Sequence, residues 1–179
     1  MRGAALTSCS HGKVHLMRMI YCDGACSGNP GPSGSAAILI DHAGSKVETV
    51  LSRPLGFATN QIAELDAFLL ALDLAAALRA PATIRTDSQY VVKGVNEWLP
   101  NWKRNGWRNA QKKPVANQAI WKAIDAKVLA LDPNPALAWI KGHAGDRWNA
   151  VVDRLAVEAS QRPPDFPSRA PPRLPGHAP

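Results

Sequence analysis

The chain has 179 residues, of which 46% are hydrophobic and 20% charged, with 21 Lys+Arg against 14 Asp+Glu and a net charge of +7. This composition can form a core and the length suits one domain, which excludes wholesale disorder. No apolar run approaches the roughly 18–20 residues that cross a bilayer, and the first residues lack the pattern of a secretory signal. The three cysteines are too few for a disulfide scaffold. We therefore expect a cytoplasmic protein with no membrane association.

Three strands open the ordered part of the predicted fold. Short apolar runs bounded by turn residues place them at residues 19–23, 34–41 and 46–53. A first helix follows, capped by Thr59 or Asn60 and ended before Pro81. Its apolar residues recur every three or four positions and predict one buried stripe: Ile62, Leu65, Leu69, Leu72 and Ala76.

Strands and helices alternate in the second half. We predict a strand at 82–86, a helix at 88–99 stopped by Pro100, a short basic helical piece, and a helix at 117–131. A fifth strand at 136–141 and a last helix at 149–160 complete the domain. The fold class is therefore α/β, a five-stranded mixed sheet flanked by helices.

Both ends of the chain differ from the middle. Residues 161–179 contain seven prolines, which remove backbone donors and predict a disordered or extended tail. Residues 1–18 are interpreted as a flexible extension. A single catalytic domain is expected between them, at residues 19–160.

A basic stretch between Lys93 and Lys122 carries most of the charge excess. Seven Lys and Arg residues stand there against a single acid, Glu97, and four tryptophans are interleaved with them. Basic residues neutralise phosphates and indole rings stack on bases or sugars, so the pattern favours a polyanionic partner. The alternative is a solvated helical face above core tryptophans.

Four acids stand where acids are costly. Asp23 and Asp87 each end an apolar strand, Glu64 interrupts the apolar side of the first helix, and Asp153 lies beside core valines. Each has an ordinary alternative: a turn residue for Asp23, a helix cap for Asp87, a helix-dipole partner for Glu64, and an ion pair with Arg147 or Arg154 for Asp153.

Taken together, these acids indicate a metal site. If the first and fourth strands are neighbours, Asp23 and Asp87 lie side by side, and clustered carboxylates need a counter-cation. Oxygen ligands suit Mg²⁺ or Mn²⁺, and two such ions about 3.5–4 Å apart form a known clamp for displacement at phosphorus. With the basic stretch, this predicts a nuclease. His143, between glycines, could carry a proton near neutral pH or be a surface loop residue.

Five sequence blocks resemble type 1 ribonuclease H, the enzyme that cuts the RNA strand of an RNA–DNA hybrid. The resemblance covers residues 19–160. In chain order the blocks are YCDGACSGNPGPSG, TNQIAEL, TDSQYV, WLPNWKRNGWRNAQKKPVAN and WIKGHAGDRWNAVVDRLA. The fourth block resembles the basic protrusion of the bacterial members, at about residues 98–117. Five blocks in the right order are far more specific than any one motif.

The resemblance implies a set of site residues. The metal-binding and catalytic carboxylates would be Asp23, Glu64, Asp87 and Asp153, and His143 would assist proton transfer or product release. Contacts near the RNA 2′-hydroxyls are implied for the region of Asn29, Asn60 and Gln61, and a DNA phosphate would bind Thr59 and Asn117. The remaining substrate-binding residues would be Cys26, Ser88, Trp98, Trp102, Lys103, Arg104 and Lys112.

The implied reaction is hydrolysis by water with Mg²⁺, or Mn²⁺, leaving 5′-phosphate and 3′-hydroxyl ends. The expected partner is a hybrid duplex, the enzyme would act as a monomer with no obligate protein partner, and its substrates would include RNA primers and R-loops. The sequence departs from the family pattern in Cys22, Ile62, Trp148 and Ala150, none of which removes a metal ligand.

Other function classes fit less well. Gly28, Gly31 and Gly34 loosely resemble a dinucleotide-binding loop, but a strand follows them instead of a helix. Integrases, resolvases and proofreading exonucleases would lack the tryptophan-rich protrusion and the KGHAG loop. A binding module without activity would have lost one of the four carboxylates, and all are present.

Overall fold

The structure, a computed structural model, describes residues 18–41, 43–142 and 145–164. The predictions for His143, for nearly all of the N-terminal extension and for most of the proline-rich tail lie outside the described residues. Arg18, which we assigned to the extension, belongs to the first strand and is buried.

A mixed sheet occupies the centre of the described domain, with strand order β3-β2-β1-β4-β5. The strands are β1 (Arg18–Cys26), β2 (Gly31–Ile40), β3 (Val47–Ala58), β4 (Ala82–Thr86) and β5 (Ala136–Trp139). β2 pairs antiparallel with β1 and β3, whereas β4 pairs parallel with β1 and β5. The predicted five-stranded mixed sheet is confirmed, and its first and fourth strands are neighbours, which is the condition for Asp23 and Asp87 to lie side by side.

Helices cover both faces of this sheet. They are α1 (Asn60–Leu78), α2 (Gln89–Lys93), α3 (Leu99–Arg104), α4 (Gln118–Ala130) and α5 (Arg147–Ser160). Alternate residues of β1 serve the two faces, because strand side chains point to opposite sides: Ile20 and Cys22 join the core under α1, and Tyr21 joins the core under α5. Among the described helices, none has the length and hydropathy to cross a membrane.

α1 is buried on more sides than predicted. The prediction of a single apolar stripe is wrong: Phe68, Leu70 and Leu74 are buried, while Ala76 is exposed. The reason is that α1 packs against β1 and β2 on one side and against α4 on another. A helix that packs on two sides buries residues well beyond a single stripe and leaves only a narrow part exposed.

The predicted stop at Pro100 is also wrong. The backbone continues from α2 through a π-helical turn, Gly94–Trp98, directly into α3, and Pro100 lies in the first turn of α3. A first-turn residue needs no intrahelical amide donor, so proline is tolerated there. Gly94 rests on the Trp121 indole so closely that a methyl group would overlap the ring, so the glycine permits this packing.

Two contacts fix where α1 begins relative to β1. The Thr59 hydroxyl accepts a hydrogen bond from the Ile62 amide at 3.3 Å, which establishes Thr59 as the cap. Gly24 lies against the backbone of Ala63 and Glu64, where a Cβ atom would overlap main-chain atoms. This close approach brings Glu64 beside the end of β1.

Candidate active site

Three carboxylates converge at one edge of the sheet. Asp23 lies near the end of β1 and Asp87 directly follows β4, so the parallel pairing of these strands sets them side by side. Glu64 reaches them from the second turn of α1. One carboxylate oxygen from each residue lies within 4.8 Å of the other two. The structure thus joins residues that are 64 positions apart at most.

Three of the ordinary explanations do not hold, one each for Asp87, Glu64 and Asp153. Ser88, not Asp87, caps α2, with its hydroxyl accepting from the Val91 amide at 3.4 Å. An acidic partner of the helix dipole would lie in the first turn of α1, whereas Glu64 lies in the second turn. Arg154 pairs instead with Glu158, at 3.9 Å, so it is not the partner proposed for Asp153.

Burial and mutual repulsion perturb two of the carboxyl groups. Desolvation, with the charges of Asp87 and Asp153 adding to it, raises the pKa of Asp23 from 3.8 to about 7. Desolvation also raises the pKa of Glu64 to about 8, with the charges of Asp23 and Asp87 in the same direction. The charge of Asp153 thus acts on Asp23, but the three carboxylates that meet within 4.8 Å are those of Asp23, Glu64 and Asp87.

The donor set fits a hard divalent cation. Glu64 Oε2 is buried, and no hydrogen-bond donor in the described part of the chain reaches it. A buried carboxylate oxygen without a partner is costly unless a cation binds it. Carboxylate oxygens at this spacing are ligands of the kind that Mg²⁺ and Mn²⁺ prefer.

One polar residue of this site was not predicted from the sequence. Asn149, which is only 5% exposed, donates from Nδ2 to Asp87 Oδ2 at 3.2 Å. It lies in the first turn of α5, whose cap, Asp146, accepts from the backbone amides of Trp148 and Asn149. A buried asparagine in a helix gives little signal in sequence, because its partner is 62 residues away.

Comparisons with known proteins agree with this arrangement. The sequence model of the RNase H family matches residues 17–161. The chain belongs to the ribonuclease H family. A ribonuclease H of Prochlorococcus marinus is 44% identical over 141 residues, 78% of this chain and 84% of that protein. A ribonuclease H of Treponema pallidum subsp. pallidum is 41% identical over 160 residues, 83% and 94% of the two chains.

A solved structure shares the fold. The foamy viral protease-reverse transcriptase in complex with RNA/DNA hybrid matches with a TM-score of 0.72 and 27% identity. The match covers 89% of this chain, which spans only 22% of that protein. The family and the bacterial relatives identify this chain as a bacterial type 1 ribonuclease H, an endoribonuclease, as the sequence predicted.

In this ribonuclease H, several predicted substrate-binding residues lie next to the carboxylates. The Asn29 side chain accepts from the Asn60 amide at 3.2 Å, which joins the β1–β2 turn to the start of α1. Hydrogen bonding from the side chains of Ser88 and Asn60 acts against the rise in the pKa of Glu64. The Cys26 thiol donates to the Gly28 carbonyl at 2.6 Å. Gln61 is exposed beside them.

Three tryptophans in and near the basic stretch, Trp98, Trp102 and Trp121, form an aromatic group with Tyr90. Trp121 is fully buried, and the rings of Tyr90 and Trp102 approach it edge-on at 5.6 and 5.4 Å. Trp98 contacts Tyr90 and Trp102 and, like Trp102, is only partly buried. The alternative of a core tryptophan is therefore confirmed for Trp121. A substrate role of Trp98 and Trp102 stays a prediction.

The basic residues of the protrusion are not equivalent. Lys103 forms an ion pair with Asp125 at 2.9 Å, and Arg104 is hydrogen-bonded to Asn101. Lys112 is exposed, and among the described residues no acidic side chain pairs with it. Asn117 precedes α4 with φ 55°, and its side chain makes no capping hydrogen bond. Arg104, Lys112 and Lys113 therefore carry charges that no acidic side chain in the described part of the chain neutralises, in contrast to Lys103.

The structure shows the surroundings of two residues that depart from the family pattern, Trp148 and Ala150. Trp148 packs in the core under α5, where Arg147 stacks on its ring at 4.3 Å. Ala150 is exposed and lines a pocket with Asn149 and Asp153. Neither contact removes a member of the carboxylate cluster.

Gly142→Ala is expected to lower kcat about 10-fold or more while leaving the melting temperature close to wild type. A methyl group at Gly142 would stand 2.6 Å from Asp87 Oδ2, so the carboxylate must move. Steady-state kinetics and thermal melts check this, with Ala136→Ser at an exposed position of β5 as the control. Unchanged kcat would show that Asp87 can move without loss of function.

Proposed function

We propose that this ribonuclease H hydrolyses the RNA strand of RNA–DNA hybrids with two divalent cations, Mg²⁺ or Mn²⁺, leaving 5′-phosphate and 3′-hydroxyl ends. The observation that carries the proposal is the convergence of three carboxylates within 4.8 Å, with a buried Glu64 oxygen left unpartnered by the described residues. Its placement on a fold of the ribonuclease H family supports the nuclease interpretation.

Each acidic residue has a part in this proposal. Asp23, Glu64 and Asp87 hold the cations, and Asp153 contributes from α5. The cations, when bound, lower the pKa of water and stabilise charge that develops at the phosphate. His143 would carry a proton or assist product release.

Specificity for a hybrid would come from the residues around the cluster. Asn29 and Asn60 join the β1–β2 turn to the start of α1, and Gln61 follows Asn60 on the helix that carries Glu64. Hydrogen bonds to 2′-hydroxyls would distinguish RNA from DNA there. The foamy viral protein of the same fold is in complex with RNA/DNA hybrid, which supports this substrate class.

The wider organisation is part of the same proposal. Residues 19–160 would form the catalytic domain with its protrusion at 98–117, flanked by an extension and a proline-rich tail. The enzyme would act as a cytoplasmic monomer that removes RNA primers and R-loops.

A cleavage assay tests the proposal. End-labelled RNA–DNA, RNA–RNA and DNA–DNA duplexes of one sequence are incubated with the full-length protein in Mg²⁺, in Mn²⁺ or in EDTA. We expect internal cuts in the RNA of the hybrid alone, only with metal, and 3′ ends that a polymerase can extend. Cleavage in EDTA, or equal cleavage of the three duplexes, would contradict it.

Replacing Lys112 and Lys113 with Gln is expected to raise KM for the hybrid and flatten its salt dependence. Exposed lysines release counterions from phosphates, and each lost contact reduces the slope of log K against log salt by about 0.9. KM measured across a salt series checks this. Lys103→Gln is the matched comparison, and it should change the slope less because Asp125 already pairs with Lys103. A change in kcat alone would exclude a substrate-binding role.

A further inference from the structure

Asn149 presents an oriented hydrogen-bond acceptor to the carboxylate cluster. Asp87 Oδ2 at 3.2 Å is a carboxylate acceptor, so the side-chain group of Asn149 facing it must be the NH₂ donor. This fixes the polarity of the carboxamide and turns Oδ1 away from Asp87. Oδ1 is buried, and no donor among the described residues reaches it. A buried amide oxygen left without a donor is costly.

The surroundings of Asn149 restrict what can satisfy this oxygen. The neighbouring members of the site, Asp23, Asp87 and Asp153, are carboxyl groups, which act as acceptors when ionised. Asp153 stands four positions later on α5 and so shares the helix face of Asn149. Asn149 and Asp153 also line the same pocket, and water from this pocket reaches the covered Oδ1 only when the side chains around it shift slightly. A small donor that can face several acceptors at once is water.

The backbone that carries Asn149 is held firmly. Asp146 caps α5 and accepts from the Asn149 amide at 3.2 Å. The Tyr21 hydroxyl also donates to Asp146, at 3.2 Å, and Arg85 donates to the Tyr21 oxygen at 3.1 Å. These hydrogen bonds link the start of α5 to β1, through Tyr21, and to β4, through Arg85. Asn149 therefore presents its carboxamide to Asp87 from a fixed position.

We propose that Asn149 is a positioning residue of this active site: it orients the Asp87 carboxylate through Nδ2 and holds a water molecule in the cluster through Oδ1. The role rests on the proposed function, which requires water as the nucleophile. Water held against a fixed acceptor beside the cation ligands is restricted in orientation, which favours attack from one direction. A Cβ atom on Gly142 would lie 2.6 Å from Asp87 Oδ2, so the Gly142 backbone also packs closely against this carboxylate.

Asn149→Leu tests the role, because leucine matches the size of asparagine without its hydrogen bonds. Leucine removes the donor to Asp87 Oδ2 but also removes the unpaired Oδ1, and these two changes act on stability in opposite directions, so the variant should fold. We expect kcat on a hybrid to fall about 10- to 100-fold and Mg²⁺ affinity, measured by calorimetry on the free protein, to fall by a similar factor. KM for the hybrid should change less than about 3-fold, since the residue acts on Asp87 and water.

Two further measurements make the outcome decisive. Asn149→Ala is measured in parallel, so that a folding defect of the leucine variant does not remove the test. Glu158→Gln, at the exposed end of the same helix, should keep wild-type kcat and Mg²⁺ affinity. A high-resolution crystal structure of the wild type should show water within about 3.2 Å of Oδ1.

Wild-type kcat and Mg²⁺ affinity in a folded Asn149 variant would overturn the positioning role, and a crystal structure without that water would overturn the water-binding half. A lowered melting temperature with unchanged kcat would indicate a purely structural asparagine. If the wild type does not cleave hybrids, the proposed function fails instead. Calorimetry and the crystal structure still report on Asn149 in that case.

Discussion

Asp87→Asn is expected to abolish hybrid cleavage, with kcat reduced at least about 1000-fold, while the dissociation constant for the hybrid stays within about 3-fold of wild type. Asparagine keeps the shape but removes a charged oxygen that lies within 4.8 Å of the Asp23 and Glu64 oxygens. Most affinity for the duplex should come from the basic protrusion, which the substitution leaves intact.

The same substitution should stabilise the protein when no metal is present. It removes one of the charges that raise the pKa values of Asp23 and Glu64, and so relieves repulsion in a buried cluster. Thermal melts in EDTA should therefore show a higher melting temperature for Asp87→Asn than for wild type. Glu97→Gln, at an exposed position, is the control for charge removal alone. Wild-type turnover by Asp87→Asn would exclude this residue from the metal site.

Metal-free stability should decrease as the pH rises from about 5 to about 8. Folding raises the pKa of Asp23 from 3.8 to about 7 and that of Glu64 from 4.5 to about 8. At pH values between the unfolded-state and folded-state pKa values, these groups are ionised in the unfolded chain but protonated in the folded one. Each increase in pH within this range therefore favours unfolding. At pH values below the unfolded-state pKa values, and above the folded-state ones, the two carboxyl groups no longer change the stability with pH.

The size of this effect is large for two residues. One pKa unit corresponds to about 1.4 kcal/mol. Ionisation of Asp23 and Glu64 together should therefore lower the free energy of unfolding by several kcal/mol by about pH 8. Because a 1 kcal/mol change shifts the melting temperature of a domain this size by about 2–4 °C, a decrease of roughly 10 °C is expected in EDTA.

Mg²⁺ should reverse the decrease, and should do so more strongly at about pH 8 than at about pH 5.5, since protons compete with the cation for the same oxygens. Melting curves of the wild type and of the double variant Asp23→Asn/Glu64→Gln, with EDTA or Mg²⁺, check both effects. The double variant should lose most of the pH slope and the Mg²⁺ response. A wild-type melting temperature indifferent to Mg²⁺ at both pH values would count against a metal site here.

The contacts within the carboxylate cluster show where sequence reasoning ends. The local pattern around Asp23 and Asp87 located two strand ends, and the resemblance to ribonuclease H named all four acids. The hydrogen bond from Asn149 to Asp87 has no counterpart in any local pattern, because it joins the start of α5 to the end of β4. For the same reason the pairing of Lys103 with Asp125, 22 residues later, was not predicted.

The two errors in the fold have a related origin. Periodicity in α1 predicted one stripe, since a single helix viewed alone has a solvated side, but α4 covers that side. Pro100 was interpreted as a stop because proline lacks an amide donor. The π-helical turn ahead of it places Pro100 where no donor is needed, and Gly94 accommodates the Trp121 ring through that turn.

By itself the sequence determined the kinds of element, their order and the acidic residues, because apolar spacing and turn residues act over short stretches of chain. Tertiary structure alone decided how near the carboxylates come, which of them stay protonated, and which neighbours hold them. Those properties depend on burial and on distances between residues far apart in the chain, and only packing of α1 and α5 against the sheet sets them.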